Sequence, residues 1–158
     1  MKNIFEVNPK IISENVMNIS NTEKIAIIHI RYGDKLNISL RKNDQYKFLI
    51  NTPLFYRKMI KKLLKKNLKI YIVSDDDDIV KHYIIDKINN DNVKILNISW
   101  WESFYLLSKT KYSVLSISTF SFLATIINKK IKKVYITTRP LDISEYAIQE
   151  EKIIDKTN

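Results

Sequence analysis

Residues suited to chemistry fall into three short polar segments. The first, His29-Ile30-Arg31-Tyr32-Gly33-Asp34, contains the chain's only glycine, one of its two histidines and one of its few arginines. An arginine there can clamp a phosphate through parallel charge-assisted bonds worth about 1.5–3 kcal/mol each, and a glycine lets the backbone turn or another group approach closely. The same residues also allow a purely structural reading, an Arg31–Asp34 pair at a strand end with Gly33 turning the chain. The second segment, Ser118-Thr119-Phe120-Ser121, sets three hydroxyl residues at a helix start, where backbone N–H groups converge and favour an anion. Capping accounts for one of those hydroxyls. The third, Ser74-Asp75-Asp76, opens the acidic run Asp75 to Asp78. Carboxylates attract hard cations, but consecutive helical residues point in different directions, and the helix macrodipole alone explains acids in a first turn. A metal site is not expected there. Trp100-Trp101-Glu102 is an aromatic pair at a helix start, suited to a core or to a base-stacking surface.

The elements that must position these segments follow from periodicity. Ile25 to Ile30 (IAIIHI) is a continuous run rich in β-branched residues, the length of a buried strand. Thr52-Pro53 opens an amphipathic helix with Leu54, Phe55, Ile60, Leu63 and Leu64 on its apolar face, ending near Asn67. Leu68 to Val73 reads as a second strand, and Ser74-Asp75-Asp76 supplies the cap and acidic first turn of a helix carrying Ile79, Val80, Tyr83, Ile84 and Ile88. Val93 to Ile98 reads as a third strand, Trp100 to Leu107 as a helix and Tyr112 to Ile117 as a fourth strand. Thr119 to Asn128 reads as a helix capped by Ser118, and Lys133 to Thr137 as the fifth strand. Strands alternating with helices predict an α/β, Rossmann-like open parallel sheet covered on both faces with right-handed crossovers. Ile11, Ile12, Val16 and Ile19 predict a helical extension over residues 1–24. The Rossmann-like core spans about 25–138, and 139–158 form a C-terminal tail with weak helical signal around Tyr146 to Ile153. No internal repeat or domain boundary is evident, so 1–158 reads as one domain. In such sheets ligands bind beyond the carboxyl ends of the strands, where all three polar segments fall.

Composition narrows the chemistry further. The 158 residues are 45% hydrophobic and 28% charged, enough for one globular core of this size and too apolar for disorder. Zero cysteines exclude disulfides, thiolate metal sites and a cysteine nucleophile, and two histidines make a transition-metal site improbable. With one glycine, neither a GxGxxG fingerprint nor a GxxxxGK[ST] loop can exist, so an NAD enzyme or a P-loop ATPase is disfavoured. Phosphate must then be held by side chains and helix N-termini. The net charge of +10 would suit a polyanion, including nucleic acid along the lysine face Lys58, Lys61, Lys62, Lys65 and Lys66. Yet Arg occurs only at Arg31, Arg41, Arg57 and Arg139, and Ala only at Ala26, Ala124 and Ala147, while Lys, Ile and Asn abound. That bias is what an AT-rich genome imposes on any protein, so the lysines read as solvated surface. No run is long enough to span a bilayer and no signal peptide is evident, which predicts a soluble, cytoplasmic protein.

In order and spacing the three segments resemble the fucosyltransferase superfamily, most closely the α-1,2-fucosyltransferases. The family motif H-x-R-R-G-D matches His29 to Asp34 except for Tyr32 in place of the second arginine. A strand ending in S-D-D matches Tyr71 to Asp76. The motif D-x-x-x-L-M-S-x-C-K-x-x-I-x-x-N-S-T-F-S-W-W is similar to Glu102 through Leu123, with Glu102 for Asp, Thr110 for Cys, Ile117 for Asn and Phe122-Leu123 for the tryptophan pair. The resemblance covers about Ile25 to Asn128. It implies the C-terminal, nucleotide-sugar half of a two-domain GT-B glycosyltransferase and inverting transfer of fucose from GDP-fucose to a sugar hydroxyl, with no required metal or cofactor. It implies Arg31 as the catalytic cation on the β-phosphate, with Ser118, Thr119, Phe120 and Ser121 around the phosphates. His29 and Glu102 would lie on the guanine and ribose side, Asp34 would orient Arg31, and Gly33, Asp75 and Asp76 would complete the donor site. The implied partners are the nucleotide-sugar donor and a glycan acceptor, with a second chain as a source of the acceptor domain. The alternatives are a non-catalytic or half-enzyme GDP-sugar-binding module and a basic nucleic-acid-binding domain.

Overall fold

The segment Ile25 to Ile30 alternates its side chains between two covered faces, so an apolar residue is required at nearly every position. In the computed structural model, which describes residues 9–33 and 50–136, it forms β1 (Ile25–Ile30), and all six residues are buried. The other strands are β2 (Lys69–Ser74), β3 (Val93–Ile95), β4 (Tyr112–Val114) and β5 (Lys133–Tyr135). They pair in the order β3-β2-β1-β4-β5, every pair parallel. The α/β open parallel sheet predicted from the alternation is therefore present. β1 is central, and the direction of winding reverses between β1 and β4.

Helices cover both faces. On one, α2 (Pro53–Leu64) and α3 pack Tyr56, Ile60, Leu63, Val80 and Ile84 against Ala26, Ile28 and Ile30 of β1. α3 runs through three segments, Asp77–Val80, the π-helical Lys81–Ile85 and Asp86–Ile88. On the other face α1 (Glu14–Ser20), α4 (Trp100–Lys109) and α5 (Thr119–Ile126) pack Val16, Ile19, Leu106, Leu107 and Ala124 against Ile25 and Ile27. The period of two along β1 thus puts His29 on the α1/α4/α5 face, at its carboxyl end.

Local chemistry sets the boundaries. Thr52 caps α2 by accepting from the Phe55 N–H at 3.2 Å, with Pro53 at the first helical position, and Asn67 turns the chain with φ 54°. The strands after β2 are shorter than the apolar runs suggested. β3 ends at Ile95 and β4 at Val114, because Leu96 and Leu115 make only single backbone bonds, to Ile72 and Tyr135, before the chain leaves the sheet. The cap of α3 is Asp76, which accepts from the Ile79 N–H at 3.1 Å, while the Ser74 hydroxyl accepts from the Asp76 N–H at 3.0 Å and closes the turn before it.

Lys58, Lys61 and Lys62 are exposed along α2 and Lys65 and Lys66 in the turn after it, and the ammonium groups of Lys62 and Lys66 lie over the rings of Tyr135 and Tyr112. Among the described residues no helix is long and apolar enough to cross a membrane. Asp34 and the tail from residue 137 lie outside the described residues.

Candidate functional site

The reversal of winding between β1 and β4 opens a crevice at their carboxyl ends, the place where open α/β sheets bind ligands. Two of the three polar segments meet there. His29 Nδ1 lies 2.6 Å from Ser116 Oγ, and its ring centroid is 5.3 Å from that of Phe120. Residues 87 apart in sequence thereby bring the end of β1 against the loop that leads into α5. Burial, with Arg31 nearby as a second cause, lowers the His29 pKa from 6.5 to about 4. At neutral pH its ring is uncharged and serves as a hydrogen-bonding group.

The third segment closes on the first from β2, through the pairing of Ile30 with Ser74. Asp75 Oδ1 accepts from the Tyr32 N–H at 2.8 Å, and its Oδ2 lies 4.0 Å from Arg31 Nε. Asp75 is thus an ion-pair partner of Arg31 among the described residues, while the Arg31–Asp34 pair of the structural reading involves a residue outside them. Gly33 is needed for proximity: a Cβ at this position would stand 2.6 Å from Asp75 Oδ2. Any larger residue must push aside the carboxylate that ties down the end of β1. Arg31 is left half-exposed over the crevice, its guanidinium held beside a carboxylate.

On the β4 side, Ser118 stands at the N-cap position of α5 with an extended backbone, but its hydroxyl makes no capping bond, contrary to the role the sequence suggested. Ser118 Oγ is buried without a hydrogen-bond partner among the described residues, a group that calls for a ligand or an ordered water. Thr119 is exposed beside it. Ser121 is fully buried, and its hydroxyl donates back to the carbonyls of Ser118 (3.2 Å) and Ser116 (3.4 Å), so it braces the first turn from inside. Phe120 is half-buried between His29 and the rings of Trp100 and Phe104.

Three further acidic residues complete the picture. Asp76 caps α3. Asp77, in the first turn of α3, has its pKa raised by burial and by the carboxylates on either side. Glu102 has both oxygens engaged: Oε1 accepts from Ser13 Oγ at 2.6 Å and Oε2 from the Ser99 N–H at 3.0 Å. Those bonds hold its carboxyl at about 2, well below the usual range. Ser99-Trp100-Trp101-Glu102 is a capping box, and its S-x-x-E spacing was readable in the sequence. Ser116, by contrast, carried no signal, since only the tertiary pairing of β1 with β4 makes it the partner of His29. Among the described residues no group of three or more His, Cys, Asp or Glu could hold a metal ion.

The sequence model of glycosyl transferase family 11 matches residues 4–156. The chain belongs to glycosyl transferase family 11. Among curated proteins no sequence matches. Among solved structures the fold of this family 11 chain is similar to POFUT1 in complex with GDP-fucose, with TM-score 0.55 and 11% identity over 80% of this chain and 46% of that one. POFUT1 in complex with GDP gives TM-score 0.55 and 11% identity over 80% and 48%, and the apo form 0.53 and 11% over 80% and 47%. The chain spans about half the length of these structures, and at this identity the likeness is one of fold.

Proposed function

We propose that the crevice between the ends of β1 and β4 binds GDP-fucose, and that this family 11 protein transfers fucose with inversion to a sugar hydroxyl. The observation that carries the reading is the contact of His29 with Ser116, which sets Arg31 and the start of α5 on one crevice. When the sugar–phosphate bond breaks, its electron pair goes to the β-phosphate oxygen. A fixed cation and N–H dipoles aimed at that oxygen stabilise the transition state more than the ground state. Arg31 supplies the cation. Ser118 Oγ and the N–H groups at the uncapped start of α5 face the phosphates, with Thr119 beside them. His29 donates or accepts without adding charge, and Asp75 holds the end of β1 and the Arg31 side chain in place. Glu102 acts at a distance, by fixing the start of α4. Asp34 belongs to the same motif and lies outside the described residues.

One observation favours the second reading, a GDP-sugar-binding module completed by a partner chain. Tyr32, which replaces the second arginine of the motif, is buried and donates its hydroxyl to the Asn51 carbonyl at 3.0 Å. A core tyrosine cannot share the phosphate charge.

Both readings predict that GDP stabilises the fold. At 100 times its dissociation constant GDP should add about 2.7 kcal/mol, read as a rise in melting temperature, with GDP-fucose similar and UDP weaker. Equal shifts with GDP and UDP, or none with millimolar GDP, would remove the guanine-nucleotide reading.

A further inference from the structure

We propose that Tyr32 and Asn51 form a clasp that sets the spacing between the two lips of the donor crevice and thereby positions Arg31, an inference that rests on the GDP-fucose reading above. Tyr32 follows Arg31 directly, and its hydroxyl donates to the Asn51 carbonyl at 3.0 Å. The Asn51 side chain continues the path, its Nδ2 donating to the Leu115 carbonyl at 3.0 Å. Leu115 immediately precedes Ser116, the residue against His29. The end of β1 is therefore tied to the loop before α5 twice, once on either side of Arg31. One tie runs from His29 to Ser116, the other from Tyr32 through Asn51 to Leu115. His29, Tyr32, Asn51 and Leu115 are all buried, so water does not compete for these bonds.

Local structure does not ask for an amide at position 51. Thr52 is the N-cap of α2, so Asn51 stands one residue before the cap, where the stabilising choice is an apolar side chain packed against the fourth helical residue. That fourth residue is Tyr56, whose hydroxyl lies 3.4 Å from Asn51 Nδ2. The chain instead buries an amide whose Oδ1 has no hydrogen-bond partner among the described residues, an arrangement that lowers stability. A carbonyl only accepts, so the bond to Leu115 fixes which end of the amide faces the loop. What the amide adds over an apolar residue is that bond between the two lips.

The clasp also accounts for Tyr32 where the family motif has its second arginine. The Tyr32 ring packs edge-on against Tyr56 with centroids 6.1 Å apart, and its N–H donates to Asp75, the carboxylate beside Arg31. At this position the chain carries a buried anchor in place of a charge. The cation that remains, Arg31, is steadied by Asp75, by the His29–Ser116 contact and by the clasp.

Two variants open the clasp at different points. Asn51→Leu removes the bond to Leu115 and keeps the backbone carbonyl that Tyr32 uses, while Tyr32→Phe removes the hydroxyl and keeps the ring. Asn128→Leu is the matched control: Asn128 is also buried, and its Nδ2 donates to the Leu107 and Thr110 carbonyls at 2.8 Å, just past the end of α5 away from the crevice. Calorimetric titration of the full chain with GDP, well below each melting temperature, should show affinity reduced about three- to tenfold in Asn51→Leu and in Tyr32→Phe, the factor that one neutral hydrogen bond can supply. Asn128→Leu should melt lower yet bind GDP as the parent does. Combining Asn51→Leu with Arg31→Lys should cost less affinity than the two single losses together, because the clasp acts through the guanidinium. Parent affinity in either clasp variant, an equal loss in Asn128→Leu, or strict additivity with Arg31→Lys would overturn the proposal. Should Asn51→Leu fail to fold, Tyr32→Phe, which loses a single oxygen atom, decides alone. A parent chain that binds no GDP removes the donor reading and the clasp with it, whereas GDP binding that neither clasp variant weakens removes the clasp alone.

Discussion

Arg31→Lys is expected to weaken GDP binding by about 1.5–3 kcal/mol, roughly ten- to a hundredfold, and to suppress any transfer at least as strongly. Lysine keeps the charge but lacks the planar fork that engages two phosphate oxygens at once. The unliganded variant should melt close to the parent. The contact that Arg31 makes with Asp75 spans 4.0 Å between half-exposed side chains, and such pairs contribute under about 1 kcal/mol. Calorimetric titration with GDP, together with a melting curve, separates the two roles. A variant that melts far lower yet binds GDP as well as the parent would make Arg31 a structural partner of Asp75.

Acid should destabilise the fold well before its carboxylates are protonated. His29 has its pKa lowered in the folded state, chiefly by burial, from 6.5 to about 4, so between those values the unfolded chain binds the extra proton. Stability is therefore fully present above about pH 6.5, falls as pH drops through this window and levels off below pH 4, with a total change of about 3 kcal/mol. Glu102 acts in the same direction at lower pH, because its bonds to Ser13 and Ser99 favour the charged form and are lost as it is protonated toward about 2. Melting temperatures between pH 7 and 4 check this. Replacing His29 with Gln, which can still hydrogen-bond to Ser116 and does not titrate, should flatten the slope above pH 4.5. An unaltered slope in that variant would assign the acid sensitivity elsewhere.

The sheet was legible because each strand is an apolar run bounded by residues with one clear local role. In Ile25 to Ile30 the burial of both faces leaves no alternation to misread, and Thr52-Pro53 marks a helix start by chemistry that needs no tertiary context. Strand ends were harder. Ile98 and Ile117 continue apolar runs, but pairing stops at Ile95 and Val114, because the chain turns away from β2 and β1 before those strands end. At the site, the motif residues of β1 and the start of α5 could be named from their types, whereas their mutual placement depends on strand order. That order brings Ser116 to His29 and Asp75 to Arg31, the second across 44 positions of sequence. Glu102, a donor-site residue by resemblance, forms the capping box that S-x-x-E announces, and Ser118 stands at an N-cap position although its hydroxyl makes no capping bond. In both cases one residue type serves two purposes, and only geometry separates them.

Gly33 allows the most direct test of a nucleotide at the end of β1. It is the only glycine in the chain, so selective labelling with 15N-glycine gives a single glycine amide resonance, two residues after Arg31 and at a residue packed against the carboxylate of Asp75. The account predicts that GDP moves this resonance progressively to saturation, that GDP-fucose does the same, and that UDP at equal concentration moves it far less. A resonance that stays in place while GDP raises the melting temperature would put the nucleotide elsewhere on the fold and contradict the assignment of the β1–β4 crevice.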